Sequence, residues 1–115
     1  MIVSVKFERE RTITGGGRRW KLSCSIGFDP LDGVPEAVVM LHWRHRGDWR
    51  WSMLTPGLGT FARSVTRRLR RLGYQGDLGA EGLTTGVSGY FKKKLSDATS
   101  IEREIRVLDG LKFGR

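Results

Sequence analysis

The chain has 115 residues with 21 basic and 12 acidic side chains, which give a formal net charge of +9. This length predicts one domain, 1–115, and the single cysteine, Cys24, excludes an internal disulfide and a cysteine-based metal cluster. No apolar run approaches the ~18 residues of a membrane span, and Lys6 and Glu8 interrupt the N-terminal stretch before it reaches signal-peptide length. We therefore expect a soluble cytoplasmic protein without a membrane segment.

The positive charge is carried mainly by arginine, with 15 arginines against six lysines and no asparagine. A GC-rich genome produces the same bias through codon usage, so composition alone has two interpretations. Charge of this size favours a polyanionic partner, because a cationic domain attracts it over long range. Where the arginines lie in the folded protein must decide between the two.

A first β-hairpin is predicted near the N-terminus, where TGGG joins two segments that alternate apolar and polar residues. A turn at Gly15-Gly16 puts the apolar positions on one face, with Cys24 among them as a small buried hydrophobe. In this register Arg11 lies opposite Trp20, where its guanidinium would cover the indole. The two strands comprise residues 2–13 and 18–28.

A second hairpin is predicted from strands at 37–43 and 49–54, with Arg46-Gly47 as the turn. Both of its faces are largely apolar, which is typical of a strand pair in the middle of a sheet. Residues 1–54 thus comprise two consecutive hairpins, of about four strands.

The segment 55–73 predicts an amphipathic helix of about 12 residues, because apolar residues recur at spacings of three and four. Gly73 stands where a C-terminal cap belongs. The apolar positions are Leu58, Phe61, Ala62, Val65, Leu69 and Leu72.

Residues 74–98 are interpreted as a Gly-rich loop region, with a short strand around 83–87 and an ambiguous YFKKKL. A short helix begins near Thr99, with Glu102 completing a capping box, and a tail follows within 99–115. The predicted fold is α+β: an antiparallel sheet of two hairpins, packed by one arginine-rich helix, with a second short C-terminal helix.

The predicted helix carries its arginines on the arc opposite its apolar side, with Arg68 at the edge. No acidic residue lies between Asp48 and Asp77, whereas a merely solvated face usually intersperses glutamate. The pattern indicates an anionic partner, and a basic surface shaped by codon usage is the alternative. The arginines of the opposite arc are Arg63, Arg67, Arg70 and Arg71.

Two further groups complete the candidate binding residues. Arg18 and Arg19 follow the glycines of the first turn, where the backbone can approach a phosphate closely. Near the hairpin ends Trp20 and Trp49, with Arg44 beside the latter, are candidates for stacking on nucleic-acid bases. The lysine run at 92–94 is typical of a solvated face.

Catalytic motifs are weak. His42 and His45 fall on opposite faces of a strand, so they would not flank one phosphate, and no metal-ligand or nucleophile motif occurs. We expect no cofactor, no metal and no enzymatic activity. A metal-independent RNase using His45, Asp48 and an arginine is the remaining enzyme alternative.

The sequence thus leaves two hypotheses. The first is a small non-enzymatic protein that binds DNA or RNA through its arginines. The second is a phage or mobile-element inhibitor, resembling anti-CRISPR proteins in size and charge, that binds a host defence protein or nucleoprotein complex. A structural or assembly protein is a further hypothesis, which only the clustered arginines disfavour. The apolar second hairpin needs a cover, which either the C-terminal segment or a second subunit of a homodimer would provide.

Overall fold

The computed structural model describes residues 5–43, 56–78, 87–96 and 99–113. The fold is α+β, and in these residues the sheet has five antiparallel strands in the order β1-β2-β3-β5-β4. The prediction of about four strands was therefore too low. The elements are β1 (Val5–Gly15), β2 (Arg18–Phe28), β3 (Pro35–Trp43), α1 (Pro56–Arg71), β4 (Gln75–Leu78), β5 (Val87–Lys94) and α2 (Thr99–Asp109).

The turn between β1 and β2 lies at Gly16-Gly17, one residue later than predicted. Both glycines have positive φ, 61° and 76°, as a type I′ turn requires. The remaining glycine of the three, Gly15, is needed for packing, because a Cβ there would lie 2.0 Å from the Phe61 ring. From Phe7 to Gly15 the shift moves each cross-strand pair by two positions, so Trp20 pairs with Ile13 while the two faces of the hairpin stay as predicted. A register irregularity lies between Val5 and Phe7.

Both edges of β3 are occupied, which corrects the second predicted hairpin. One edge pairs with β2 and the other pairs with β5, from Glu36 to His42. The predicted partner strand, 49–54, lies outside the described residues. A hairpin with its turn at Arg46-Gly47 would pair this strand with the edge of β3 that β5 occupies. The interpretation of residues 74–98 as a loop region is also corrected, because this segment contains β4 and β5.

Both helices lie over the same face of the sheet. α1 begins beside the first hairpin, where Phe61 contacts Trp20 at a ring-centroid distance of 5.4 Å, and ends where Leu72 O accepts a hydrogen bond from Lys93 of β5. α2 ends at Asp109, beside Arg9 of β1. The shared core comprises Trp20, Leu22, Cys24, Ile26, Ala37, Val39, Leu41, Phe61, Ala62, Val65, Leu69, Tyr74, Phe91, Leu95, Leu108 and Leu111.

α1 ends at the glycine that the sequence indicates. Gly73 has φ 95°, and its N–H donates to Arg70 O at 3.0 Å, while Tyr74 N–H donates to Leu69 O at 2.9 Å. This is the Schellman pattern, in which a left-handed residue lets the last carbonyls of a helix find donors. The tight turn leads directly into β4. Among the residues that the structure describes, no helix is long and apolar enough to cross a membrane.

Candidate nucleic-acid interface

Several cations of the sheet are paired with carboxylates. Lys94 lies 3.2 Å from Asp29 and 2.9 Å from Asp32, in the loop between β2 and β3. Lys21 contacts Glu10 at 3.5 Å across the first hairpin. These pairs are partly exposed, so each contributes little to stability, but they reduce the positive field of the sheet.

The arginines of β1 hold the end of α2. Arg9 Nη1 lies 2.6 Å from Asp109 Oδ1, and Arg11 donates to the backbone carbonyls of Asp109 and Leu111. The last carbonyls of a helix lack intrahelical donors and carry partial negative charge, so a guanidinium satisfies both needs. The expectation that Arg11 would cover Trp20 is thus wrong.

A buried polar network joins α1, β5 and α2, and sequence reasoning missed it. Glu104, only 4% exposed, accepts hydrogen bonds from Tyr74 Oη at 2.7 Å and Lys93 Nζ at 3.0 Å. Burial, and then the hydrogen bond to Glu104, raise the pKa of Tyr74 above its usual value. A sequence signal did exist, since Glu104 falls on the apolar arc of α2 between Ile101 and Leu108.

The arginines of α1 differ from those of the sheet. Arg63, Arg67, Arg70 and Arg71 are all exposed, and we call these four residues the arginine surface. Within the described parts of the chain none of them makes an ion pair with an acid. Arg70 only reaches the backbone oxygen of Gly76, at 3.5 Å. Their charge is therefore available to an external anion.

The helix geometry makes the arginine surface a compact stripe. At 100° and 1.5 Å per residue, its four arginines span an arc of about 100° and about 12 Å along the axis. One strand of duplex DNA carries a phosphate about every 3.4 Å of axial length. Because the strand also winds around the axis, neighbouring phosphates lie farther apart in space than this, and the stripe reaches roughly two to three of them.

The first hairpin meets the start of α1, so the second basic group lies near the beginning of that helix. Gly15 packs on Phe61, and Arg18 pairs with Gly15 across the turn. Arg19 is exposed on the neighbouring position of β2. The end of α1, with Arg70 and Arg71, lies farther along the sheet, where Leu72 O meets Lys93 of β5.

Trp20 is corrected from a stacking candidate to a core residue. Its side chain is 0% exposed, packs on Phe61, and donates from Nε1 to Gly15 O at 3.1 Å. Phe61 in turn contacts Phe113 of the C-terminal segment edge-on at 6.2 Å. Phe61 of α1 thus packs on a tryptophan whose position near the hairpin end had suggested exposure.

Other candidates fall outside the described residues. Arg44 and Trp49 lie there, as do His45 and Asp48 of the RNase alternative. His42 lies on β3, paired with Lys21 in the register. Within the described part of the chain, no cluster of three or more His, Cys, Asp or Glu side chains could hold a metal ion.

Cys24 is a buried member of the core, 4% exposed, and burial raises the pKa of its thiol to about 11. The unfolded chain releases this proton near pH 9, before the folded protein does, so the free energy of unfolding falls as pH rises from 9 towards 11. Between pH 8 and 10 this thiol is expected to lower the free energy of unfolding by about 1 kcal/mol. Urea titrations at several pH values measure the free energy of unfolding of the wild type and of Cys24→Ala, and this free energy should fall more steeply with pH in the wild type. Parallel curves would contradict it.

No protein-family model, curated protein or solved structure matches the chain.

Proposed function

We propose that the protein binds nucleic acid without catalysis, by contacting the phosphate backbone with the arginine surface of α1. One observation carries the proposal: four exposed arginines lie on one arc of a helix, and none is paired with an acid in the described part of the chain. Repulsion between like charges at i,i+4 costs a few tenths of a kcal/mol per pair, which a polyanion offsets. Arg19 alternates with the helix-facing Trp20 and so lies on the other face of the sheet, outside the arginine surface.

Such a surface contacts phosphates and does not select bases. A helix with a row of guanidinium groups supplies bidentate donors for phosphate oxygens. Base selection would need side chains that reach base edges or stack on bases, and Trp20 is buried. The expected binding is therefore weakly dependent on nucleic-acid sequence and strongly dependent on salt.

The test is fluorescence anisotropy with a labelled DNA duplex, single-stranded DNA and RNA over a salt series. Replacing Arg67 and Arg71 by glutamine removes two predicted phosphate contacts. For the duplex the slope of log K against log salt should fall by about 2, and affinity at 0.1 M salt by about 50-fold. Both side chains are exposed, so the substitutions should leave folding intact.

The matched control replaces two exposed arginines of the other helix, Arg103 and Arg106, by glutamine. This variant has the same net charge, and its affinity should fall less than about threefold. Equal losses in the two variants would mean that net charge, and not the arginine surface, drives binding. Absence of nucleic-acid binding by the wild type at low salt would refute the proposal.

A protein partner is the second candidate, and it uses the same unpaired arginines. An inhibitor of a host defence protein would place the arginine surface on an acidic patch, or in a groove meant for nucleic acid. Stoichiometric binding to such a partner, with poor binding to free DNA and RNA, would identify this function. The Arg67 and Arg71 substitutions weaken both kinds of complex, so the oligonucleotide assay must come first.

A further inference from the structure

The second face of the sheet is open in the described part of the chain, because α1 and α2 both cover the first. We call this second face the open sheet face. Its centre is apolar, with Val38 and Met40 of β3 partly exposed and Tyr90 of β5 47% exposed. A groove of about 470 Å³ runs from this centre to Leu31, which is 95% exposed. An apolar centre within a charged rim is the usual anatomy of a protein–protein interface.

Charges on the open sheet face are mixed, in contrast to those of the arginine surface. Glu8 and Glu10 lie on β1 at one side, and Lys92 lies on β5 at the other. In the described part of the chain neither Glu8 nor Lys92 makes an ion pair. A face with acids along one side suits a protein better than a polyanion.

The strand registers align these residues in rows across the sheet. One row reads Glu8, Ser25, Val38, Lys92, and each neighbouring pair is in register. The row thus begins with an acid, passes from a small to a larger side chain, and ends with a base.

The next row repeats the change in size. It reads Glu10, Ser23, Met40, Tyr90, again in register at every step. In both rows β2 contributes serine, where β3 contributes a larger apolar side chain. Two such surfaces fit when the serines of one face the apolar residues of the other.

We infer that the open sheet face binds a second copy of this chain, forming a two-fold symmetric dimer of stacked sheets. The axis runs parallel to the strands, between β2 and β3. It places Glu8 of one copy opposite Lys92 of the second, and Ser25 opposite Val38. A two-fold interface must be self-complementary in this way, with each contact made twice.

Size and charge support this occupant. Four strands about 4.8 Å apart and eight residues long present roughly 500 Å² per copy, or about 1,000 Å² in total, near the lower limit of specific interfaces. The arginine surface of α1 lies on the opposite side of each subunit, which limits repulsion between copies. The loop with Leu31 joins β2 to β3 at the end of the same axis, so the two copies of this side chain lie close together.

The experiment is sedimentation equilibrium of the full chain over a concentration series. The wild type should form a species of twice the 13.0 kDa chain mass, with a dissociation constant in the micromolar range. Glu8→Lys and Lys92→Glu should each raise that constant roughly tenfold, because like charges then meet at two symmetric positions. The double variant, with the charges exchanged, should restore it to within about threefold. Arg103→Glu, on the helix side, is the control and should leave it unchanged.

Three outcomes would overturn the inference: a monomer at all concentrations, a dimer insensitive to both single reversals, or a double variant weaker than either single one. Met40→Glu provides an independent check at the centre, and it should abolish the dimer while the circular dichroism spectrum stays folded. If Met40→Glu instead removes oligonucleotide binding from the monomer, the face binds nucleic acid and the dimer is wrong. The inference does not depend on the proposed function, whose test changes other residues.

Discussion

Replacing Gly76 by alanine is expected to lower the free energy of unfolding by about 3–5 kcal/mol. Gly76 lies in β4 with φ 148°, a conformation that strains any residue with a Cβ. An added Cβ would lie 2.1 Å from Tyr90 O and 2.7 Å from Phe91 Cα. These are backbone atoms of β5, which is itself paired with β3, so neither can move away without breaking the sheet. The loss would be a large part of the total stability of a domain this size.

Urea denaturation of Gly76→Ala against the wild type measures the effect. Gly110→Ala is the control, because the nearest atom to its added Cβ is Arg106 O at an ordinary 3.5 Å and its φ is not positive. The control should change stability by less than about 1 kcal/mol. A similar midpoint for both variants would show that β4 does not pack on β5 as described.

The first hairpin shows what alternation in a sequence can predict and what it cannot. Which side chains share a face follows from the period of two, and the structure has the predicted faces. The register depends on which two of three consecutive glycines form the turn, and local sequence does not distinguish Gly15-Gly16 from Gly16-Gly17. Phe61 decides, because it packs against Gly15 from a helix far away in the chain.

The failure to predict β4 and β5 between residues 74 and 98 has a different cause. Glycines and a lysine run normally indicate loop and solvent, and β4 has only four residues. Gly76 is a glycine because the backbone of β5 approaches it, which no local pattern reveals. Lys93 lies on the helix side of the sheet, where its ammonium group donates hydrogen bonds to Glu104 and to Leu72 O. Only tertiary pairing makes this lysine compatible with a central strand.

Part of the candidate site also follows from the sequence alone, and part depends on tertiary contacts. Helical periodicity alone predicts that the arginines of α1 share one arc, and in the structure they are exposed there. Whether an arginine is paired depends on contacts distant in sequence, as with Arg9 and Asp109. Trp20 could not be assigned from its position near the hairpin end, since Phe61, which packs on it, belongs to a later segment of the chain.

Replacing Glu104 by alanine is expected to lower the free energy of unfolding by about 3–4 kcal/mol. The variant leaves Tyr74 Oη, in a side chain only 2% exposed, without its acceptor and removes the carboxylate that faces Lys93 Nζ. Lys93 is 28% exposed and still donates to Leu72 O, so its ammonium group can turn towards water, which keeps the loss below that of a fully buried pair.

Two milder variants separate the contributions within this network. Glu104→Gln keeps an acceptor for Tyr74 and loses only the ion pair with Lys93, so about half of the loss is expected. Tyr74→Phe removes the donor and should cost about 1 kcal/mol. Urea denaturation of the singles and of the double variant gives the coupling energy, expected at 0.5 kcal/mol or more, about the lower limit for residues in contact. Because Tyr74 follows the end of α1, loss of coupling would mean that the hydrogen bond between Tyr74 and Glu104 does not help to hold the end of this helix.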